Sequence, residues 1–275
     1  MGHPGWTSWN LDPVLILALV VVSGAYVAAY RRAGRYAASP PTIGHWLPFA
    51  SGIAALVVAL MSPLDEIGDT YLLSAHMIQH VLLTDVAAAL IVLGLRAPVL
   101  PLGLPRKGLR LVAPRGPIGR FIHVMTRPWV ALPLWAIATW VWSIPRVFDF
   151  AASHPTVHGI EHAMLFYTGI ALWWLIIDPL PTERRKPHIN RLAYLGFTRL
   201  ASAAVCLPLT WLANPMYPLY EHAPRAYGIS AIRDQQLAGA SMCLIEFLIF
   251  GIAVAAVFID VLGREERLER AYPVT

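Results

Sequence analysis

Residues 71–95 read YLLSAHMIQHVLLTDVAAALIVLGL and form an apolar run that contains one carboxylate, Asp85. A run of this length is sufficient for a helix that crosses a hydrocarbon core of about 30 Å. His76 and His80 lie near its start, and their spacing of four places both imidazoles on one face of the helix. Buried imidazoles need polar partners, so this stretch predicts a membrane helix with a functional face.

A second apolar run opens on the same pattern of histidines. Residues 154–162 read HPTVHGIEH, so that histidines follow one another at intervals of four. Two helices that each present such a ladder can supply three or four ligands to one ion, and neutral imidazole binds copper, zinc, iron or nickel. We therefore predict a metal site formed by the five ladder histidines, which are His76, His80, His154, His158 and His162.

The composition sets the class of protein. The chain of 275 residues is 57% hydrophobic and 13% charged, whereas a soluble domain carries about 25% charged residues. These values exclude an ordinary soluble domain and predict a polytopic membrane protein. The net charge of +5 needs no nucleic-acid partner, since membrane topology accounts for the basic residues. Cys206 and Cys243 lie inside apolar runs and indicate neither a disulfide framework nor a CxxC metal site.

Seven apolar segments predict an all-α fold, in which seven transmembrane helices form a single transmembrane domain over residues 1–275. No separate soluble domain is expected. The predicted spans lie near residues 13–31, 46–63, 71–95, 128–145, 155–178, 195–216 and 236–262.

The basic residues predict the orientation of the bundle. All of the 21 lysines and arginines except Arg146, Arg225 and Arg233 lie in four segments that are separated by even numbers of spans. Cytoplasmic loops are enriched in Lys and Arg, so seven spans place these four segments in the cytoplasm. The N-terminus is then outside and the C-terminus is in the cytoplasm. Both histidine ladders begin at the outer face of the membrane.

Four polar residues inside the spans are further candidates. Gln79 and Glu161 each lie beside a ladder and could orient an imidazole by a hydrogen bond, without binding the metal themselves. Asp85 and Glu246 lie deep in spans 3 and 7, where a carboxylate is costly and must face the bundle interior. They either hold helices together by hydrogen bonds or carry protons or cations.

One face of span 7 adds candidates at the depth of the ladders. Asp234 stands at its outer end, and Gln235, Gly239, Met242 and Glu246 repeat at helical spacing. A thioether is a soft ligand that favours Cu(I), so Met242 is the best methionine candidate for the metal site. Asp234 and Gln235 are expected to provide polar support.

Two alternatives to a metal-carrying role remain open from the sequence. His158, Glu161 and His162 match the H-x-x-E-H arrangement of zinc hydrolases, in which two histidines bind zinc and the glutamate is the general base. The chain would then be an intramembrane zinc-dependent hydrolase. A metal-free scaffold is the other alternative, because histidines in membrane helices also form hydrogen bonds between helices.

The order of several motifs resembles the multi-span CtaG family of cytochrome c oxidase assembly factors. The matching elements are Ser62-Pro63, Ser74 to His80 with Leu82-Leu83, Leu93-Gly94, Pro98, the His154/His158/His162 ladder, Tyr217 to Tyr220, Gly228-Ile229-Ser230, and Asp234-Gln235-Gln236 with Gly239 and Met242. Together they cover nearly the whole chain. Cys243 departs from the pattern, since tryptophan is expected after the methionine.

The resemblance implies a role in maturing haem–copper oxidases, by handling or inserting copper through an outward-facing His/Met site. It implies an assembly role and not an enzyme, with copper as the ion that is handled and zinc as the alternative. The expected partners are cytochrome c oxidase subunits, other copper chaperones and the lipid bilayer. The expected location is the bacterial cell membrane, crossed several times.

Overall fold

The computed structural model describes residues 8–105, 108, 110–111, 116–180 and 188–271, with the side chains of 188–190 and 264–271 left out. Every regular element in these ranges is helical. The helices are α1 (Pro13–Tyr36), α2 (Ile43–Leu60), α3 (Pro63–Thr70), α4 (Leu73–Val81), α5 (Ala88–Gly94), α6 (Val99–Gly103), α7 (Pro117–Met125), α8 (Pro128–Trp142), α9 (Pro145–Ala152), α10 (Pro155–Ile177), α11 (His188–Trp211), α12 (Pro218–Glu221) and α13 (Ala231–Ala271). A π-helical turn, Leu82–Ala87, joins α4 to α5.

The all-α prediction is confirmed, with six helices long and apolar enough to cross a membrane. They are Pro13–Tyr36, Ile43–Leu60, Leu73–Gly94, Pro155–Ile177, Arg191–Trp211 and Ala231–Gly263. The predicted span at 128–145 corresponds to α8, which is too short alone. Together α7 and α8, bent by 69°, give a seventh span if they are counted as one. Six of the basic residues that predict the orientation lie outside the described residues, namely Arg106, Lys107, Arg115, Arg184, Arg185 and Lys186.

The second span ends earlier than the predicted 46–63 because a new helix starts there. Ser62 accepts a hydrogen bond from the backbone N–H of Leu64 at 3.2 Å, and Pro63 occupies the first turn of α3. Serine at the N-cap followed by proline is a strong helix start. As a result, α3 forms a separate short helix just before the first histidine ladder.

Three helices run parallel and form the centre of the bundle, namely α4–α5, α10 and α13. Near the start of α4 and α10, the rings of His76 and His158 lie 5.0 Å apart. Much further along, the rings of Trp173 of α10 and Phe250 of α13 lie 5.4 Å apart. Gly169 of α10 packs against the backbone of Thr84 in the π-helical turn, where a larger residue would not fit. The ladders therefore face one another across a close helix–helix contact.

The two cysteines form a disulfide, so the expectation of no disulfide is wrong. Cys206 of α11 and Cys243 of α13 are bonded, with their Cα atoms 5.7 Å apart. The pairing joins two helices that are separated by 37 residues in sequence, and spacing along the chain gives no sign of it. Arg199 of α11 also pairs with Glu246 of α13 at 3.1 Å, which adds a second cross-link between the same helices.

The start of α4 is capped by a residue from another helix. Asp234 of α13 accepts hydrogen bonds from the backbone N–H of Leu73 at 2.7 Å and of Ser74 at 3.1 Å. The first N–H groups of a helix have no partner within the helix, and Leu72 at the N-cap offers none. Asp234 thus fixes the position of the helix that carries His76 and His80.

We expect Asp234→Ala to lower the free energy of unfolding by about 1–2 kcal/mol, because it removes the acceptor for the buried N–H of Leu73 and the part-buried N–H of Ser74. For a chain of this size each kcal/mol lowers Tm by roughly 2–4 °C. Thermal unfolding of the purified protein in detergent measures the change. Asp234→Asn keeps one acceptor oxygen and should lose less. Equal Tm values for both variants and the wild type would contradict this role.

Candidate metal centre

Four ladder histidines come together between α4 and α10. One ring nitrogen from each of His76, His80, His158 and His162 lies within 4.8 Å of the others, and all four side chains are buried. The histidines are four residues apart within each helix, and the two helices pack in parallel. As a result, the imidazoles of His76 and His158 form one level and those of His80 and His162 form the next. Sequence spacing predicted these four positions, and helix packing supplies the pairing between them.

The distances within the cluster suit a metal ion. Nε2 of His76 and Nε2 of His80 are 2.9 Å apart. Two nitrogens that bind one ion at about 2.0–2.1 Å lie roughly 3 Å apart, so this separation is close to that of ligands on a common ion. The ring of His158 stacks on that of His76, with an interplanar angle of 12°. His76 and His80 therefore already lie close to the separation of two ligands on one ion.

Two of the imidazoles have an unused nitrogen. Nε2 of His158 and Nε2 of His162 are buried and have no hydrogen-bond partner among the described residues. Buried polar atoms in proteins are nearly always paired, and one that is not requires an explanation. A metal ion in the centre of the cluster would accept both lone pairs. The donor set thus fits a metal that prefers nitrogen ligands.

Tyr220 orients the first imidazole. Its hydroxyl lies 2.5 Å from the backbone carbonyl of Gly68 and 3.0 Å from Nδ1 of His76. Burial and nearby carboxylates raise the pKa of Tyr220 well above its usual value, so the phenol keeps its proton. Its O–H donates to the carbonyl, and its oxygen then accepts from Nδ1–H of His76. That tautomer leaves the Nε2 lone pair of His76 facing the cluster.

Asp69 of α3 is a site residue that the sequence analysis missed. Its carboxylate oxygens lie 3.7 Å from Nδ1 of His76 and 3.6 Å from Nδ1 of His158. Burial and the neighbouring charge of Asp65 raise the pKa of Asp69 to about 7. The side chain is still 38% exposed, so it connects the cluster to the surface. The signal available in the sequence was the acidic segment LDEIGD directly before the first ladder.

Glu161 lies inside the cluster. Its Oε1 is 3.6 Å from Nε2 of His80, and the side chain is fully buried. Neither carboxylate oxygen has a hydrogen-bond partner among the residues that the structure describes. A carboxylate in this position is able to balance the charge of a cation that is held by four neutral imidazoles.

His154 stands apart from the cluster, which corrects the prediction of a three-histidine ladder on α10. Pro155 occupies the first turn of the helix, and His154 is the N-cap with an extended backbone. Its Nδ1 lies 2.8 Å from the carbonyl of Phe150, and its side chain is exposed. Helical spacing holds only for residues within the helix, so counting back from His158 across the proline gave a false third position.

The support residues of span 3 and span 7 mostly hold helices together. The amide nitrogen of Gln79 donates to the carbonyl of Ala59 at 2.8 Å and to Asp65 at 2.7 Å, which fastens α3 and α2 to α4. The amide oxygen of Gln235 accepts from the backbone N–H of Met216 at 2.6 Å. Asp234 caps α4. These contacts position the helices that carry the histidines.

Met242 and the two deep carboxylates lie below the cluster. They line a cavity of about 30 Å³ together with His80, and this volume is enough for a water molecule. Glu246 pairs with Arg199 and accepts a hydrogen bond from Ser202, whereas Oδ1 of Asp85 has no partner among the described side chains. Met242 thus stays a candidate ligand close to the histidines.

A bundle of apolar helices that encloses four convergent imidazoles is a multi-pass membrane protein with a candidate metal centre. The family described as cytochrome c oxidase caa3 assembly factor (Caa3_CtaG) matches residues 24–264, and the chain belongs to this family. No curated protein and no solved structure matches the chain. The resemblance found from the motifs is confirmed, and the chain is a cytochrome c oxidase assembly factor by family.

We expect Tyr220→Phe to weaken the binding of Cu(I) or Zn²⁺ by about 10–100-fold, because the hydrogen bond that fixes the tautomer of His76 is lost. A competition titration with a chromophoric chelator measures the dissociation constant. Tyr217→Phe is the matched control, since the hydroxyl of Tyr217 donates to the carbonyl of Ser143 at 2.9 Å. Equal affinities for the two variants would exclude an orienting role for Tyr220.

Proposed function

We propose that this protein assists the maturation of cytochrome c oxidase by binding copper at the four-histidine cluster and passing it on. The observation that carries the proposal is the pair of unpartnered Nε2 atoms, of His158 and His162, in a buried group of four imidazoles. The family supplies the assembly role. The cluster supplies a chemical reason for that role, since the oxidase to be assembled contains copper.

Copper fits the ligand types better than zinc does. Neutral imidazoles suit either ion, but thioethers favour Cu(I). Met77 and Met242 are buried and line the small cavity that His80 also lines. A Cu(I) ion that leaves the imidazoles would therefore meet soft ligands in the adjoining cavity, whereas zinc would gain little from them.

The arrangement of the cluster favours exchange over permanent storage. His76 and His158 lie beside the partly exposed Asp69, and His80 and His162 lie one turn deeper, about 6 Å along the helices. An incoming cation would be attracted by the Asp69 carboxylate, bound by the first pair and then held by all four. Release would follow the reverse order, one imidazole at a time, towards an acceptor protein.

The charge pattern of the sequence supports an opening on the outer side of the membrane. The ladders begin at the ends of spans 3 and 5 that lie opposite the basic segments. An outward-facing site suits copper that arrives from outside the cytoplasm of a bacterial cell. The acceptor would be a copper-binding subunit of the oxidase, and the donor would be another copper chaperone.

We expect the purified wild type to bind one copper ion per chain and the His76→Ala/His158→Ala variant to lose it. Metal analysis after dialysis against copper gives the stoichiometry. His154→Ala is the matched control, because it removes an exposed histidine from the same ladder motif and should retain full binding. Copper binding that depends on His154, or an absence of binding by the wild type, would overturn the proposal and leave a metal-free scaffold.

A substitution of Glu161 distinguishes the zinc-hydrolase alternative from a copper carrier. Catalytic zinc sites keep an open position beside three protein ligands, whereas four imidazoles fill a tetrahedral set. In a copper carrier Glu161 balances charge and takes part in no chemical step, so its neutralisation would weaken copper binding without abolishing oxidase maturation. We therefore expect Glu161→Gln to retain copper and to support oxidase maturation within a few-fold of the wild type, measured as cytochrome c oxidase activity of membranes. Complete loss of function with metal retained would favour the enzyme.

A further inference from the structure

A second and larger cavity lies at the opposite end of the three central helices. It has a volume of about 770 Å³ and is lined by α5, α10 and α13. Asp85 and Trp173 lie at its deep end, and charged residues lie at the other end. The volume falls in the range of about 300–1,000 Å³ that is typical of sites for small organic ligands. The histidine cluster does not use it.

The depth of this cavity corresponds to one leaflet of a bilayer. The helix from Asp85 to Gly94 rises about 14 Å at 1.5 Å per residue. The segment of α13 from Ile249 to Asp260, which forms another wall, rises about 16 Å. Half of a hydrocarbon core of about 30 Å is about 15 Å. An acyl chain from a lipid in this leaflet would therefore fill the cavity along its length.

The walls are apolar and can be reached from the side. Leu90, Leu93 and Ile176 line the interior, and Ile252 of α13 lines it while 71% of its side chain is exposed. Ala256, also exposed, leaves space where a larger side chain would close the gap. A lipid chain could enter between the helices without unfolding any of them.

Two arginines stand at the level where a lipid headgroup would lie. Arg96 lines the cavity, and its Nε donates to the carbonyl of Leu93 at 3.0 Å. Arg191 is 8% exposed and pairs with Asp178 at 3.4 Å, and its Nε is buried without a hydrogen-bond partner among the described residues. Guanidinium groups bind phosphate well, and basic pockets between transmembrane helices hold anionic headgroups.

The geometry points to a binding site for an anionic phospholipid, with one acyl chain in the cavity and the phosphate at Arg96 and Arg191. Asp178, which pairs with Arg191, and Asp260 also line this end of the cavity. The site lies at the basic end of the bundle, away from the candidate metal centre.

Native mass spectrometry of the full chain in detergent tests this site. The probes are phosphatidylglycerol, phosphatidylcholine with the same acyl chains, and glycerophosphate, which has the phosphate group but no acyl chains. Arg96→Gln removes a phosphate contact and leaves the Arg191 pair intact, with Arg35→Gln as a charge-matched control at the same end of the bundle. Ala256→Phe fills the cavity, with Ala255→Phe as a control on the same helix outside the lining.

We expect one phosphatidylglycerol bound in preference to phosphatidylcholine and no binding of glycerophosphate. Arg96→Gln should weaken phosphatidylglycerol about five-fold, the effect of one basic residue, and Ala256→Phe should abolish its binding. Both controls should bind as the wild type does. Equal binding of the two lipids, binding of glycerophosphate alone, or a bound lipid that survives Ala256→Phe would each overturn the assignment.

Discussion

Four imidazoles buried between two apolar helices are the constraint on which the rest of the structure depends. Inside a bilayer no water is available to hydrogen-bond a ring nitrogen, so each one must meet another polar group or an ion. The rings of His76 and His158 stack, and Nε2 of His76 meets Nε2 of His80 at 2.9 Å. These contacts form only if α4 and α10 are parallel, in register and close together.

That requirement explains the contacts around the two helices. Gly169 lets α10 approach the backbone of Thr84, and Asp234 holds the first turn of α4 from a third helix. Gln79 fastens α3, so that Asp69 stands over the first two imidazoles. Gln79 and Asp234, which the sequence predicted as polar support for the site, thus set the positions of helices. Helix-packing contacts that do not involve the imidazole rings therefore set the geometry of the site.

The sequence predicted the class of fold and the ladder positions because hydropathy and the helical period are local properties. His76 and His80 could be paired from their spacing alone, and so could His158 and His162. The acidic segment before the first ladder marks Asp69 as polar, but the contacts of Asp69 and Tyr220 with the cluster depend on how short connecting helices fold back over the bundle. The Cys206–Cys243 bond has the same cause. His154 failed for a local reason, since Pro155 starts the helix after it.

The three parallel helices also divide the molecule by chemistry. Near their starts they carry the four clustered histidines beside the partly exposed Asp69, and near their ends they enclose an apolar cavity with two arginines. Asp85 stands between, at the π-helical turn, and lines both the small cavity under His80 and the large one. A π-helical turn widens a helix and often marks a functional position. The backbone of this turn is therefore a shared wall: the packing that fixes it, including the contact with Gly169, helps to define the shape of both cavities.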